Sequence, residues 1–467
     1  MLATDEAATE TLTDRVVREV KQRVAQRALT PGARLPSIRA FAAAMKVSKS
    51  TVVEAYDRLS AEGIITSRPG SGFYVDAPLA PLSLADLGPK LDQEVDPLWI
   101  TRQALGRNPA LLMPGCGWLP ASWMPQDSLR RALRGLARGD ALALTDYGTP
   151  QGLPALRQLL ARRIAGQGIE ATADQVILTE SGTQALDLAC RFLLEPGDTV
   201  LVDDPCYFNF HALLRAHRAK VVPVPYTAQG PDLDRFERAL AEHRPRLYVT
   251  NAGIHNPTGA TLSPIVAHRL LKLAERADLT IVEDDIFADF EDEASPRLAA
   301  FDGLQRVMSC GSFSKTLSAG LRCGYLVVKP AWIQGLTDLK VATSFGGAGL
   351  AAELVHAALT DGGYRRHVAA LRSRLAKARA ETSDKLRDLG VMPWLEPRAG
   401  MFLWCRLPGE IDAAAVARRA LVDNVVLAPG NAFSLSQTAR SHLRFNVAQC
   451  ADPRIFAVLR KAIRAAA

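Results

Sequence analysis

A chain of 467 residues with 48% hydrophobic and 22% charged content is ordinary for soluble globular protein and long enough for two or three domains. The seven cysteines (Cys116, Cys190, Cys206, Cys310, Cys323, Cys405 and Cys450) are scattered and form no C-x-x-C pair, which argues against zinc or any other metal and for a reducing cytosol. A net charge of +7 permits a polyanionic partner without requiring one, and the polar, acidic start with no long apolar run excludes a signal peptide and a membrane span, so a cytoplasmic protein is expected.

In chain order, Leu12, Val16, Val20 and Val24 recur at helical spacing, with Thr13 or Asp14 expected to cap the start. After the Pro31-Gly32 turn, Ser37 is placed to cap a short helix from Ile38 to Met45 that turns Phe41 and Ala42 inward. Ser48 or Ser50 caps the next helix, whose buried stripe is Val52, Ala55, Tyr56 and Leu59 and which Gly63 ends. Two short helices joined by Lys46-Val47-Ser48 predict a helix-turn-helix. The β-rich triplets Ile64-Ile65-Thr66 and Phe73-Tyr74-Val75 flank a Gly-rich tip and predict a hairpin wing.

Arg34, Arg39, Lys46, Lys49, Arg58 and Arg68 outweigh Glu54, Asp57 and Glu62 here, as a phosphate-binding module requires. Early residues of the second helix face base edges in such a motif, making Ser48, Lys49, Ser50 and Thr51 candidates for base or phosphate contact, with Arg39 and the wing tip on the backbone. A protein-interaction module of three helices and a hairpin fits the same spacing. The segments Leu35-Pro36-Ser37-Ile38-Arg39, Val47-Ser48-Lys49-Ser50-Thr51-Val52, Ala55-Tyr56, Leu59, Glu62-Gly63 and Gly70-Ser71-Gly72-Phe73 resemble the GntR-type winged-helix signature. That resemblance covers residues 11–76 and implies DNA contacts from Arg34, Ser37, Arg39, Ser48, Lys49, Ser50, Thr51, Arg68, Ser71 and Gly72.

Residues 77–109 carry five prolines (Pro78, Pro81, Pro89, Pro97 and Pro109) and read as a linker with a short helix near 97–105. Beyond it, apolar runs at 175–178, 200–202, 220–222, 247–249, 280–282 and 307–309 alternate with helical patterns, predicting a largely parallel sheet covered by helices. Pyridoxal-phosphate chemistry needs an amine, a carboxylate for the ring nitrogen and an anion cradle. Ser181-Gly182-Thr183-Gln184, between a strand and a helix, offers the cradle. Asp284 stands at a strand end, where it is either the ring carboxylate or part of a solvated acidic loop with Glu283 and Asp285. Lys315 follows another strand, and Arg322 is expected to lower the pKa of its amine. Ser312 and Lys315 also spell S-x-x-K, but the S-D-N and K-T-G companions of that serine-nucleophile pattern are absent.

In this order the pieces resemble fold-type I aminotransferases, particularly the branch with 2-aminoadipate-type enzymes, over residues 110–467. The resemblance implies an α/β domain with a largely parallel sheet and a smaller C-terminal α+β subdomain, binding pyridoxal 5'-phosphate as an aldimine on Lys315. It places Asp284 on the ring nitrogen, Asn256 on the ring hydroxyl, Tyr207 against the ring, and Thr183, Gln184, Ser312, Ser314 and Arg322 around the phosphate. Tyr147 would reach the phosphate of a neighbouring subunit, implying a homodimer, and Arg444 would clamp a ligand carboxylate. Related proteins have a tyrosine where this chain has Ile286 or Phe287, so that hydrogen bond is lost unless Tyr325 replaces it. Both halves together resemble the MocR regulators, which implies operator DNA as partner and the cofactor or a small amino compound as signal. A working aminotransferase with an accessory N-terminal module remains the alternative.

Overall fold

The computed structural model describes residues 11–25, 28–76, 98, 101, 102, 105, 108, 110–139, 145 and 147–466. They fall into two compact units, one built on the N-terminal helices and hairpin and one on the large α/β region.

In the first unit, helix α1 (Leu12–Ala25) is capped by neither Thr13 nor Asp14 alone. The Thr11 hydroxyl accepts from Asp14 N at 3.1 Å while the Asp14 carboxylate accepts from Thr11 N at 3.4 Å, a reciprocal box with aspartate in the usual glutamate place. The expectation missed it because the cap lies one residue before the apolar pattern begins. Ser37 Oγ accepts from Ala40 N at 3.2 Å to start α2 (Ile38–Met45), and Ser48 Oγ accepts from Thr51 N at 3.1 Å to start α3 (Lys49–Ala61). Lys46, at φ +53°, makes the turn between them. Val16, Val20, Val52, Ala55, Tyr56 and Leu59 form the shared core, and the Tyr56 hydroxyl donates to Pro36 O at 3.0 Å. Strands β1 (Ile65–Arg68) and β2 (Gly72–Val75) pair antiparallel to make the wing.

The second unit holds the expected alternation. Its eight-stranded sheet contains β3 (Val176–Thr179), β4 (Thr199–Asp204), β5 (Lys220–Thr227), β6 (Gly230–Pro231), β7 (Leu247–Thr250), β8 (Thr280–Asp284), β9 (Val307–Ser312) and β10 (Gly324–Val327), in the order β3-β10-β9-β8-β7-β4-β5-β6. The run from β9 to β5 is parallel, so Ser312, Asp284, Thr250 and Asp204 all end on one edge, where α/β sheets bind ligands. Strand β10 was not anticipated; it inserts antiparallel between β3 and β9. A smaller antiparallel sheet of β11 (Met392–Pro393), β12 (Phe402–Arg406), β13 (Ala428–Pro429) and β14 (His442–Asn446) packs with the C-terminal helices around a second core. Most of the expected linker lies outside the described residues; of its short helix, Leu98, Thr101, Arg102 and Leu105 are described and helical. Among the described residues no helix is long and apolar enough to cross a membrane.

Candidate functional site

Lys315 follows β9 by three residues, on a turn closed by its serines. Ser312 Oγ accepts from Ser314 N at 3.1 Å and donates to Cys323 O at 3.2 Å. The Lys315 amine donates to Gly117 O at 2.6 Å. Burial, and then the positive charge of Arg444, lower its pKa to about 8, with Cys116 and Asp284 opposing. The like charge is therefore Arg444 and not Arg322, which the sequence places closer.

Arg444 comes from β14 and is 2% exposed, which excludes a surface salt bridge. Its guanidinium lies 4.2 Å from the centre of the Phe402 ring and 4.7 Å from that of Phe433. It donates to Asn256 Oδ1 at 2.9 Å and Gly115 O at 2.8 Å, while Nε is buried without a partner among the described residues. Burial lowers its pKa to about 10.

Asp284, at the end of β8, is buried too. Burial raises its pKa to about 6, against the stabilising hydrogen bond from Ile286 N at 3.1 Å. Its acidic neighbours are committed elsewhere, so the solvated-loop reading fails. Glu283 accepts from Leu298 N at 2.8 Å and Ala299 N at 2.9 Å, and Asp285 accepts from the fully buried Arg297 at 2.9 Å. Arg297 also binds Glu291, so a closed ionic network supports the strand end that carries Asp284.

The cradle begins with α4 (Gly182–Leu193), whose cap is Ser181: its Oγ accepts from Gln184 N at 3.0 Å. Gly182 and Thr183 line a cavity of about 410 Å³ together with Tyr207, Asn256, Asp284, Ser314, Lys315, Arg322 and Arg444. The Gln184 side chain folds back to accept from Glu180 N at 2.5 Å, and it lines a separate depression beside Arg191 and Lys340. Ser312 sits behind the cavity wall with its hydroxyl already committed. Tyr147 is 82% exposed and absent from its own chain's cavity.

Tyr325 cannot stand in for the missing tyrosine. Its hydroxyl lies over Gly311, where a Cβ would come within 2.4 Å, and Ile286 and Phe287 form the cavity wall instead. Sequence reasoning missed Cys116, Gly117, Trp118, Phe402 and Phe433 on that wall. The two glycines of Gly115-Cys116-Gly117 were a usable signal: a Cβ on Gly115 would lie 2.5 Å from Ala428 N. Gly324 was another, since a Cβ there would lie 2.5 Å from the Ser181 carbonyl carbon.

In the first unit, Arg34, Arg39, Lys49, Ser50 and Arg68 are exposed. Ser37 and Ser48 spend their hydroxyls as helix caps, and Thr51 Oγ1 lies 2.8 Å from Ser48 Oγ. Arg68 stacks at 4.4 Å over Tyr74, whose hydroxyl is 2.6 Å from Ser71 Oγ, so the wing is internally braced. Gly72, at φ +108°, lets the Arg34 guanidinium cross the wing: a Cβ there would be 3.4 Å from Nε. Arg58 departs from the expected cationic face, because it pairs with Asp14 at 2.7 Å.

An amine of lowered pKa, a buried carboxylate, a helix N-terminus and an unsatisfied buried guanidinium around one cavity suit pyridoxal phosphate and an amino acid. Residues 119–461 match the family described as aminotransferase class I and II, and residues 12–75 match the gntR family of bacterial regulatory proteins. The HTH-type transcriptional regulator YdcR of Escherichia coli is 30% identical over 444 residues, covering 93% of this chain and 94% of the relative. A 2-aminoadipate transaminase of Thermus thermophilus is 32% identical over 340 residues, covering 71% and 84%. The crystal structure of the α-aminoadipate aminotransferase LysN from Thermus thermophilus, complexed with N-(5'-phosphopyridoxyl)-L-leucine, superposes with a TM-score of 0.71 at 28% identity, covering 78% of this chain and 94% of that one.

Proposed function

Because the chain belongs to the MocR-type regulators, in which a GntR DNA-binding domain is fused to an aminotransferase class I and II domain, we propose that it is a transcriptional regulator sensing an amino compound through Lys315. The aminotransferase fold implies pyridoxal phosphate, and the GntR domain implies DNA binding. The observation that carries the reading is the convergence of Lys315 and Arg444: a Cβ on Gly117 would lie 3.9 Å from both Lys315 Nζ and Arg444 Nη2. An amine-capturing and a carboxylate-capturing group so close would suit an amino-acid-sized ligand.

When bound, pyridoxal phosphate supplies an aldehyde that exchanges amines and a ring that withdraws electrons. Lys315 would hold its aldehyde carbon, Asp284 a proton at the ring nitrogen, and Asn256 the ring oxygen. Tyr207 would stack on the ring. Gly182, Thr183, Ser314 and Arg322 would receive the phosphate, with Tyr147 added from the second subunit of a homodimer. Arg444 would turn its free Nε side to the ligand carboxylate. Lys315 would hold the aldehyde carbon in one state and stand free in the other, and Arg444 would bind a carboxylate only in the second, which is the differential contact a switch needs.

The reading is tested by operator binding of the full-length protein with and without pyridoxal phosphate and candidate amines, with operators found by footprint sequencing. Affinities that do not change under any combination overturn the switch. A change with the cofactor alone marks the cofactor itself as signal. One observation favours a second reading, an active aminotransferase: Lys315, Asp284 and Arg444 are all in place around the cavity. Turnover of an amino acid with 2-oxoglutarate in a protein without specific DNA binding would establish it.

A further inference from the structure

On the large unit, the first turn of the helix Gly363–Arg387 carries Arg365 and Arg366 and no acid. Cations there oppose the helix dipole, whose positive end favours aspartate or glutamate. Both arginines are exposed, and among the described residues neither has a carboxylate within ion-pair distance. Asp361, the nearest acid in sequence, is committed elsewhere: it accepts from Gly363 N at 2.7 Å, from Ser128 Oγ at 2.6 Å and from Arg131 Nη2 at 3.3 Å. Those bonds seat the helix Gln126–Leu136 beside this turn, since a Cβ on Gly363 would lie 3.5 Å from Arg131 Nη2. That helix adds Arg130, Arg131 and Arg134, and Arg138 follows it, all of them exposed. Its C-terminal dipole accounts for Arg134 and Arg138, but Arg365 and Arg366 have no such reason to be where they are. Along the two segments, residues 126–138 and 361–366, six exposed arginines stand against two aspartates, Asp127 and Asp361. Charge gathered against the preference of the backbone is offset by a polyanionic partner.

We propose that this arginine face of the large unit binds the phosphate backbone of duplex DNA, so that the operator is held by the large unit as well as by the first. The inference rests on the functional reading above, in which the first unit binds operator DNA. Binding by one unit raises the local concentration of duplex around the other, so individually weak contacts add to the affinity. Guanidinium groups suit phosphate because each offers paired donors in one plane. The two segments expose no aromatic ring on which an unpaired base could stack, which favours a duplex over a single strand. Their exposed large apolar side chain is Leu133, too little to anchor a helix in a bilayer. Contacts made by charge alone hold the backbone and carry no sequence.

The test is fluorescence anisotropy of the full-length protein on an operator duplex and on an unrelated duplex of the same length, over a salt series. Two double variants are compared with wild type: Arg365→Glu with Arg366→Glu, and Arg134→Glu with Arg138→Glu. Each should weaken both duplexes by about 10-fold at about 0.1 M salt and lower the slope of log affinity against log salt by about two. The preference for the operator over the unrelated duplex should stay as in wild type. Thermal unfolding separates this from a fold defect. Arg365→Glu with Arg366→Glu puts acids where the helix dipole favours them, so the melting temperature should hold or rise while DNA binding falls. Arg365→Lys with Arg366→Lys keeps the charge and should keep the salt slope.

Affinity and slope unchanged in both glutamate variants overturn the proposal, and so does a loss confined to the operator duplex, which would make these arginines readers of sequence. Vesicles of phosphatidylglycerol in phosphatidylcholine are the second probe. Vesicle binding that is lost in the glutamate variants while their DNA binding matches wild type overturns the proposal in favour of a membrane surface. A wild type that binds neither duplex instead overturns the functional reading beneath it.

Discussion

The amine of Lys315 and the guanidinium of Arg444 meet over Gly117, whose missing Cβ leaves 3.9 Å to each. The positive charge of Arg444 adds to burial in disfavouring the charge of Lys315, while burial is what lowers the pKa of Arg444, and the lysine, as the weaker base, yields first.

The rate at which apo-protein captures pyridoxal phosphate should rise with pH and level off above about 8. The neutral amine is the nucleophile, so capture follows the deprotonated fraction of Lys315, whose pKa is lowered to about 8. Arg444→Met removes the like charge and should move the plateau to higher pH; stopped-flow absorption across a pH series reads both. A plateau that stays in place in Arg444→Met would show burial acting alone. The same variant should weaken carboxylate ligands by about 10- to 100-fold, the worth of a charged hydrogen bond.

Cofactor affinity should fall as the pH drops through about 6. Asp284 has its pKa raised to about 6 by burial, and once protonated it no longer offers a negative charge to the ring nitrogen's proton. Equilibrium dialysis from pH 5 to 8 should show this dependence in the wild type and lose it in Asp284→Asn, which should bind more weakly throughout.

Arg297→Ala should destabilise the large unit by about 3–5 kcal/mol, because it strands two buried carboxylates, those of Asp285 and Glu291, without their counter-ion. Thermal unfolding followed by calorimetry checks it. A shift no larger than that of an exposed arginine such as Arg138 would mean that water reaches the network.

Phe287→Tyr should lower the pH midpoint of the bound cofactor's visible absorption by about one unit, since a donor on this wall favours the ionised ring oxygen. Spectrophotometric titration against wild type decides it. An unmoved midpoint would show that the Phe287 ring does not reach that oxygen.

For DNA, Lys49→Ala and Arg68→Ala should each weaken binding and reduce the slope of log affinity against log salt by about one. Ser48→Ala should instead cost about 1 kcal/mol of stability in the first unit, because its oxygen closes the start of α3. Fluorescence anisotropy over a salt series, beside thermal unfolding, separates the two effects.

Much of this protein was legible without coordinates because its signals are local. Helical spacing from Leu12 to Val24, the serine caps before α2 and α3, and the strand preceding Lys315 depend on neighbours within a few residues. The order of Asp284, Lys315 and Arg444 along the chain was likewise enough to suggest one cofactor site. For Gln184 the motif leaves the side chain open, because the same cradle is satisfied whether that side chain faces the phosphate or folds back to Glu180 N, as it does here. Strand β10 was missed because four residues carry too little periodicity, and its place is set by pairing with β3 and β9.

By itself the sequence determined the two units and the parallel sheet, and it put Lys315 and Asp284 forward for the cofactor. Each rests on short-range propensity or on a motif read in order. Only the tertiary structure decided the electrostatics of the site and its wall. It seats Arg444 between Phe402 and Phe433 and brings it to Lys315, buries Asp284 above the Arg297 network, and turns Tyr325 away. Charge in a protein depends on what surrounds it and on how much water is excluded, and no spacing along the chain encodes either.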